Sequence, residues 1–312
     1  MAASGSSIFS DADRYQASLQ DMLDLLVRLP GDFRARLDWI ELPNLRLLRA
    51  EESSPRVAYM RLPGGLVFVT FPAQERSSLI YCGSQLQFGE VIFHSRGEHV
   101  HQRTTMASSW GSIALTPASL NAFGRVIAGQ DLMPPPCGQI VRPHAPHWHL
   151  LMRLHRQASR LAEKAPERIV KVPVAHGLEQ ELIRAAVNCL TMRAMSPLDQ
   201  RRSTLFAHLE AILAENEQRL LSAKAISTLL GVSQSALRAG CSRVLGMSAV
   251  QYQRLRRLKL VRAQMTQAKS ATLDSEALVK RHGFASLHRF VEEYWRVYGE
   301  MPPIPPRHVS TG

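Results

Sequence analysis

The sequence predicts an α+β protein, with an N-terminal antiparallel β barrel or sandwich with flanking helices and an all-α C-terminal domain. Three observations support this fold class. The 312 residues are enough for two cores, the apolar pattern changes from short runs to a helical period after the prolines at 134–136, and most of the positive charge lies in the last third. The expected domains are a β-rich domain at 1–133, a helical connector at 134–204 and an all-α domain at 205–312.

Short runs rich in Val, Ile, Phe and Leu alternate with Pro- and Gly-containing turns in the N-terminal third. These runs are 45–48, 57–62, 66–71, 79–82, 90–94 and 112–115. Evenly spaced short strands with such turns are typical of antiparallel sandwiches and barrels. Before them, helical apolar spacing predicts a helix within 11–29, and the small polar residues 1–10 are expected to form a loose tail.

The connector shows a helical apolar period. Trp148, Leu151, Met152 and His155 follow the i, i+3, i+4, i+7 spacing, and two further helices are expected near 178–193 and 198–216. The apolar faces of the first two helices fit two roles, a homodimer interface or packing against the β-rich domain.

Composition favours an ordinary globular protein. The apolar fraction is 45%, and no apolar run is long enough to cross a bilayer. The first residues lack the features of a secretion signal. The four cysteines form no Cys-x-x-Cys pair, so we expect reduced thiols in a cytoplasmic protein without a membrane partner; they are Cys82, Cys137, Cys189 and Cys241.

Positive charge is concentrated at the C-terminal end. Residues 217–312 contain fifteen Lys and Arg against six Asp and Glu, which is +9 of the total net charge of +12. A local excess of this kind is typical of domains that bind polyanions such as nucleic acids. Charge alone is equally compatible with a basic surface that binds nothing, so the motifs must decide.

Two stretches of the C-terminal domain, 225–237 and 277–290, share one layout. In each, a small or branched residue precedes a glycine by four positions: Ser227 precedes Gly231, and Val279 precedes Gly283. The glycine can end one helix in a left-handed conformation, and a new helix follows. Ser233 would cap that new helix in the first stretch. This is the geometry of a helix-turn-helix, and two copies 52 residues apart make coincidence with an ordinary helical hairpin less plausible.

The second stretch carries a longer signature with defined spacing. It consists of Gly283, Phe284, Phe290, Tyr294, Gly299 and Pro302. In these residues, and in similar residues at 245–263, the segment 221–303 resembles the AraC family of transcription regulators. The resemblance implies a regulator that binds specific sequences of double-stranded DNA, with an N-terminal domain that binds a small effector or mediates homodimerisation.

The sequence departs from the family pattern in two places. Cys241 stands where the family usually has a bulky apolar residue, and Gly240 before it weakens the helix by up to about 1 kcal/mol. We therefore expect looser packing in the first unit. The prolines at 302–306 predict the loss of the helix that usually follows.

The resemblance places the second helix of each unit in the major groove of DNA. The residues expected to read base edges are Gln234, Ser235, Arg238, Ser286, His288 and Arg289. The residues expected to contact phosphates are Arg254, Arg256, Arg257, Lys259, Lys280 and Arg281. Each basic residue also fits a solvated surface position, and Arg256 or Arg257 also fits an ion pair that braces the helix between the units. Because of the expected loose packing near Cys241, Arg289 should contribute more to specificity than Arg238.

The histidines of the β-rich domain raise the question of a metal site. His94, His99 and His101 include a His-x-His pair, as in metal-binding cupins, but no Glu lies in 102–106 and the next histidine is His144. We therefore predict no metal and no cofactor. No hydrolase or nucleotide-binding motif is present, so no catalytic residue is predicted. The alternative is a cupin-type enzyme with a DNA-binding appendage, which bound stoichiometric metal would indicate.

Overall fold

The computed structural model of the chain describes residues 2–19, 22–27, 33–191, 193–197, 200–267 and 274–304. Its contacts divide the chain into two units. The first comprises residues 1–25 and 33–203, and the second comprises residues 26–32 and 204–312. The predicted fold class, a β-rich N-terminal part and an all-helical C-terminal part, is confirmed.

Thirteen strands lie between Ala3 and Pro197 in the described residues. They are β1 (Ala3–Phe9), β2 (Leu23–Val27), β3 (Ala35–Glu41), β4 (Arg46–Glu52), β5 (Arg56–Arg61), β6 (Val67–Pro72), β7 (Leu79–Tyr81), β8 (Ser84–Leu86), β9 (Val91–Phe93), β10 (His99–Thr104), β11 (Ser108–Leu115), β12 (Gln139–Pro143) and β13 (Arg193–Pro197). One sheet has the order β1-β3-β4-β11-β6-β9-β12-β13, and the other has the order β2-β5-β10-β7-β8. The sheets are antiparallel and open, so of the two predicted architectures the structure has the sandwich.

Helices flank the sheets, and they are the regular elements of the described residues from 204 to 304. Those described are α1 (Ala12–Ser18), α2 (Pro117–Ala128), α3 (Ala145–Lys164), α4 (Pro166–Ile169), α5 (Val172–Thr191), α6 (Gln200–Glu215), α7 (Ala223–Leu229), α8 (Gln234–Val244), α9 (Ala249–Gln267), α10 (Ser275–Arg281) and α11 (Leu287–Tyr298).

Strand register decides which side chains of the larger sheet face the smaller one. Trp39 on β3 pairs with Leu48 on β4, and Asp38 pairs with Arg49. Because successive side chains of a strand point to opposite faces, these two pairs lie on opposite sides of the sheet. Leu48 shares a cavity with Met60 of the smaller sheet, so its side of the larger sheet is the inner face.

Helix α3 packs closely against the outer face of the larger sheet. A β-carbon at Gly111 of β11 would lie 2.4 Å from the Phe71 ring and 2.7 Å from Nε2 of His155, so only glycine leaves room for this approach. His155 is fully buried, and its Nε2 lies 3.0 Å from the carbonyl oxygen of Leu48. Glycine at this one position therefore brings the helix into contact with the strands.

The structure corrects two expectations for the N-terminal residues. The polar tail forms β1, which pairs with β3 from Ala3 opposite Glu41 to Phe9 opposite Ala35. The helix predicted within 11–29 ends at Ser18, and β2 follows it. The apolar run at 22–27 is short, and such a run fits a strand as well as a helical turn.

The predicted connector belongs to the first unit, and it contributes strands β12 and β13 as well as helices. The apolar faces of α3 and α5 are buried with residues on the outer face of the larger sheet in a single core, to which Trp148, Leu151 and Leu182 contribute. These faces are therefore used within the unit itself, as in the second of the two roles that the sequence left open.

Candidate nucleic-acid interface

The first helix-turn-helix follows the predicted geometry. Helix α7 is followed by Gly231, whose φ of +66° lies in the left-handed region that favours glycine. Ser233 then begins α8, because its hydroxyl accepts a hydrogen bond from the backbone N–H of Ala236 at 3.1 Å. The predicted roles of Gly231 and Ser233 are confirmed.

The second helix-turn-helix repeats this arrangement. Gly283 has a φ of +75° after α10, and Ser286 caps α11 by accepting a hydrogen bond from the backbone N–H of Arg289 at 3.3 Å. Ser286 thus occupies the position that Ser233 has in the first helix-turn-helix. Its hydroxyl fixes the start of the helix, a structural role that the sequence-based list of base readers did not foresee.

The first turns of α8 and α11 present most of the predicted base readers to solvent. Gln234, Ser235 and Arg238 are exposed on α8, and His288 and Arg289 are exposed on α11. Both helices also carry a buried apolar anchor one turn from their start, Leu237 in α8 and Phe290 in α11. The side chains that could reach base edges therefore extend from helices that are held in place by their cores.

The two exposed faces differ in charge. Helix α8 contains no acidic residue, whereas Glu292 on α11 accepts a hydrogen bond from Nη1 of Arg289 at 2.9 Å. The same carboxylate lies 3.4 Å from Nε2 of His288. Glu292 thus contacts both His288 and Arg289, while Arg238 has no acidic neighbour on its own helix.

The expected loose packing near Gly240 is not observed. Cys241 is fully buried, and burial raises the pKa of its thiol to about 11. A β-carbon at Gly240 would lie 3.4 Å from the ring of Phe206 on α6, so this aromatic side chain covers the glycine. The reason for ranking Arg289 above Arg238 therefore no longer applies.

Two of the predicted phosphate contacts face the protein interior. Arg256 forms an ion pair with Glu210 of α6. Arg257 is 3% exposed and donates from Nη2 to the carbonyl oxygen of Asn216 at 3.2 Å. Both arginines brace helix α9 against α6 and its C-terminal end, so the structure contradicts their assignment as phosphate contacts and favours the ion-pair alternative for Arg256.

Other basic residues remain accessible. Arg254, Lys280 and Arg281 are exposed, and Lys259 is half-buried. Arg254 and Arg289 line one cleft of about 270 Å³ beside Gly283 and the turn of the second unit.

Gly283 is required at this turn for two reasons. Its positive φ disfavours other residues, and a β-carbon would lie 2.4 Å from Nη1 of Arg257. The pKa of Arg257 lies below its ordinary value, because burial lowers it more than the carboxylate of Glu217 raises it. The guanidinium group thus links α9, the end of α6 and the second turn.

Sequence reasoning missed two residues of this domain. Glu210 is buried on α6, where its carboxylate accepts a hydrogen bond from the Tyr252 hydroxyl at 2.5 Å. Trp295 is 60% exposed on α11, three residues after Glu292 and therefore on the same face. Helical spacing could have found both, because Phe206, Leu209, Glu210 and Leu213 form one face of α6, and Trp295 lies outside the buried face that Phe290 and Tyr294 form on α11.

Comparisons with known proteins agree with this geometry. Residues 226–303 match a family model described as a helix-turn-helix domain. The match contains both turns and the whole of the signature that begins at Gly283. These residues are an AraC-type helix-turn-helix domain.

A comparison of the whole chain with curated proteins gave no match. The AraC-like transcriptional activator CuxR is similar in structure, with 16% identity and a TM-score of 0.42 over 84% of this chain and 95% of that chain. ToxT from Vibrio cholerae O395 has 10% identity and a TM-score of 0.30 over 91% of this chain and 96% of that chain. With scores this low, the assignment of the AraC-type domain depends on the domain match and the signature.

The β-rich unit contains a cavity between the inner face of its larger sheet and the residues at the end of α1. This inner cavity has a volume of about 350 Å³, and its lining includes Trp39, Leu48, Phe68 and Ser112. A smaller space shares Leu48, Phe68 and Ser112 with it and reaches Met60 of the opposite sheet. The lining is mainly apolar, with a few polar groups, as in many binding sites for small molecules.

The histidines of the same unit have protein partners. Nδ1 of His94 lies 2.6 Å from a carboxylate oxygen of Glu98, Nδ1 of His99 lies 3.3 Å from the Tyr59 hydroxyl, and the ring of His101 packs on Tyr59. In the residues that the structure describes, no group of three or more His, Cys, Asp or Glu side chains is arranged to hold a metal ion. None of the described helices has the length and apolar character needed to span a membrane.

Proposed function

We propose that the chain is a transcription regulator that binds specific double-stranded DNA sequences through α8 and α11. The observation that carries this proposal is the pair of helix-turn-helix units, each with a capped, solvent-facing helix. In such units the N-terminal turns of the second helix lie in the major groove, where each base pair presents a distinct pattern of donors and acceptors.

The proposed readers are Gln234, Ser235 and Arg238 of the first unit and His288 and Arg289 of the second. An arginine can donate two hydrogen bonds to guanine, and a glutamine can pair with adenine in the same way. Ser286 would support base reading by fixing the start of α11. The backbone N–H groups of the first turn of α11 would then lie near the DNA.

Phosphate contacts are assigned to the exposed cations beside these helices. Lys280 and Arg281 end α10, and Arg254 lines the cleft at the second turn. Lys259, which is half-buried, is a weaker candidate for the same role. Such contacts position a protein on DNA but carry no sequence information themselves.

The β-rich unit is proposed to bind a small, largely apolar effector in its inner cavity. A ligand there would change DNA affinity only by its differential affinity for two states of the protein, typically about 1–3 kcal/mol. In this proposal the unit acts by binding and performs no catalysis. Stoichiometric metal in the purified protein would favour the enzyme alternative.

The fragment 200–312 is expected to fold and to bind the same DNA sequence as the full chain. It keeps α6, whose Phe206 and Leu209 are buried, together with both recognition helices. The measurement is binding selection from a random DNA pool with the fragment and with the full chain. A soluble, helical fragment that does not bind DNA at low salt would contradict the proposed function, and a different preferred sequence would show that the β-rich unit takes part in reading.

Replacing Arg238 or Arg289 by Ala should weaken binding by about 1–3 kcal/mol and relax the preference at one base position. Because Glu292 holds Arg289, we expect Arg238→Ala to have at least as large an effect. The measurement is a base-by-base binding profile for each variant at two salt concentrations.

Lys280→Ala is the matched control for these two variants. Loss of a phosphate contact should weaken binding to all sequences alike and lower the slope of log K against log salt by about one. If both arginine variants leave the base profile unchanged, reading must be assigned to Gln234 and His288 instead. If only Arg289→Ala flattens it, the order proposed for the two units is wrong.

A further inference from the structure

The first unit has a second cavity, which lies on the outer face of its larger sheet. This outer cavity has a volume of about 340 Å³ and lies between β3, β4 and α3. Its strand residues include Asp38 and Arg49, which pair across the strands on the face opposite Trp39 and Leu48. It is therefore separated from the inner cavity by the sheet itself.

Arginines dominate the wall of the outer cavity. The four are Arg36, Arg49, Arg156 and Arg160. Arg36 donates to Asp38 at 2.9 Å and lies 2.7 Å from Glu163. The hydrogen bond to Glu163 raises the pKa of Arg36 above its ordinary value, and the same contact lowers the pKa of Glu163.

Arg49 is the least exposed of these four arginines. Its side chain is 12% exposed, and Nη2 lies 2.9 Å from Glu51. The three acidic residues of the wall are thus all engaged by Arg36 or Arg49, and they are Asp38, Glu51 and Glu163.

The other two cations have no such partner. Arg156 and Arg160 lie four residues apart on α3, so their side chains extend on one face of the helix. Within the described part of the chain, neither forms an ion pair of 4.0 Å or less with a carboxylate. The pKa of the neighbouring His155 is lowered to about 4, mainly by burial and also by the charges of Arg49 and Arg156.

A buried hydroxyl lines the same cavity as these two arginines. Ser159 lines the outer cavity and is 2% exposed, and its Oγ has no hydrogen-bond partner among the residues that the structure describes. A buried polar group without a partner costs about 1–3 kcal/mol, so an unsatisfied hydroxyl in a cavity wall points to a ligand or water that completes its bonding.

We propose that the outer cavity binds a small phosphorylated molecule. Arginine forks match the geometry of phosphate oxygens, and a phosphate dianion can be shared by two guanidinium groups that form no close ion pair with a carboxylate. The volume is at the lower end of the range for small-molecule sites and suits a molecule no larger than a mononucleotide. This site is distinct from the inner cavity and from the DNA-binding helices.

The test is isothermal titration of the full chain at low salt with pyrophosphate and, separately, with adenosine 5′-monophosphate. We expect saturable binding at one site and none with unphosphorylated adenosine. The variant Arg156→Ala/Arg160→Ala should bind the phosphorylated probes at least about tenfold more weakly, which corresponds to roughly 1.4 kcal/mol. Its melting temperature should be unchanged, because both side chains are exposed and make no ion pair in the described chain.

The matched control is Arg153→Ala/Arg168→Ala, which removes the same charge from α3 and α4 at exposed positions outside the cavity wall. We expect this control to bind like the unaltered chain. Absence of saturable binding to both phosphorylated probes overturns the proposal, as does an equal loss in the two double variants, which would mean diffuse attraction to a basic surface. Because the titrations contain no DNA, either failure leaves the proposed function intact.

Discussion

Replacement of Glu210 by Ala is expected to destabilise the fragment 200–312 by about 3–5 kcal/mol, the usual cost of leaving one partner of a buried ion pair uncompensated. Glu210 is 5% exposed on α6, where it pairs with Arg256 and accepts the hydrogen bond of the Tyr252 hydroxyl. Domains of this size are stable by only about 5–15 kcal/mol, so the variant should lose much of its DNA binding at physiological temperature. Urea denaturation of the fragment measures the effect.

Two further variants test the cause of this loss. Glu215→Ala removes an exposed carboxylate from the same helix and should change the stability by less than about 0.5 kcal/mol. The double variant Glu210→Leu/Arg256→Met replaces both charges and should recover much of the stability. Equal effects of Glu210→Ala and Glu215→Ala would show that the buried pair has no special importance.

Replacement of Glu52 by Ala is expected to destabilise the first unit by a similar amount, about 3–5 kcal/mol. Its carboxylate accepts hydrogen bonds from the Tyr15 hydroxyl at 2.8 Å, from Nε1 of Trp110 at 3.0 Å and from Nε of Arg56 at 2.9 Å. Arg56 is fully buried, and its two terminal nitrogens have no hydrogen-bond partner in the described residues, so Glu52 is its main compensation.

The measurement is urea denaturation of the full chain followed by near-ultraviolet circular dichroism. Three of the four tryptophans, including Trp110, belong to the first unit, so this signal reports mainly on that unit. Glu75→Ala, which removes an exposed carboxylate from the same unit, is the control. An unchanged midpoint in Glu52→Ala would mean that Arg56 is stabilised by something other than this carboxylate.

Local patterns in the sequence predicted the helix-turn-helix units well. A glycine in the left-handed region and a serine cap depend only on neighbouring residues, so the roles of Gly231, Ser233 and Gly283 follow from the local sequence. Six strands between 45 and 115 were predicted for a similar reason, because each apolar run is bounded by its own turn residues, whereas β8 and β10 were not predicted.

Features that depend on distant partners were not predicted. The residues of β1 are mostly small and polar, and they form a strand only because β3 offers a paired edge. Apolar periodicity placed α3 correctly but could not say what covers its apolar face. Arg256 and Arg257 were misassigned because residue type does not reveal burial, and Glu210, the partner of Arg256, lies outside the segment that resembles the family.

The contact between Arg257 and Gly283 has a consequence for the DNA that this protein can recognise. Helix α9 packs against helices of both helix-turn-helix units. The guanidinium of Arg257 lies against the turn of the second one, at Gly283. The two helices proposed to read DNA, α8 and α11, are therefore both packed against one helix. Since B-DNA turns once in about 10–10.5 base pairs, each base pair inserted between two half-sites rotates one of them by roughly 35° away from its helix. We therefore expect the spacing of the operator half-sites, as well as their sequence, to affect binding.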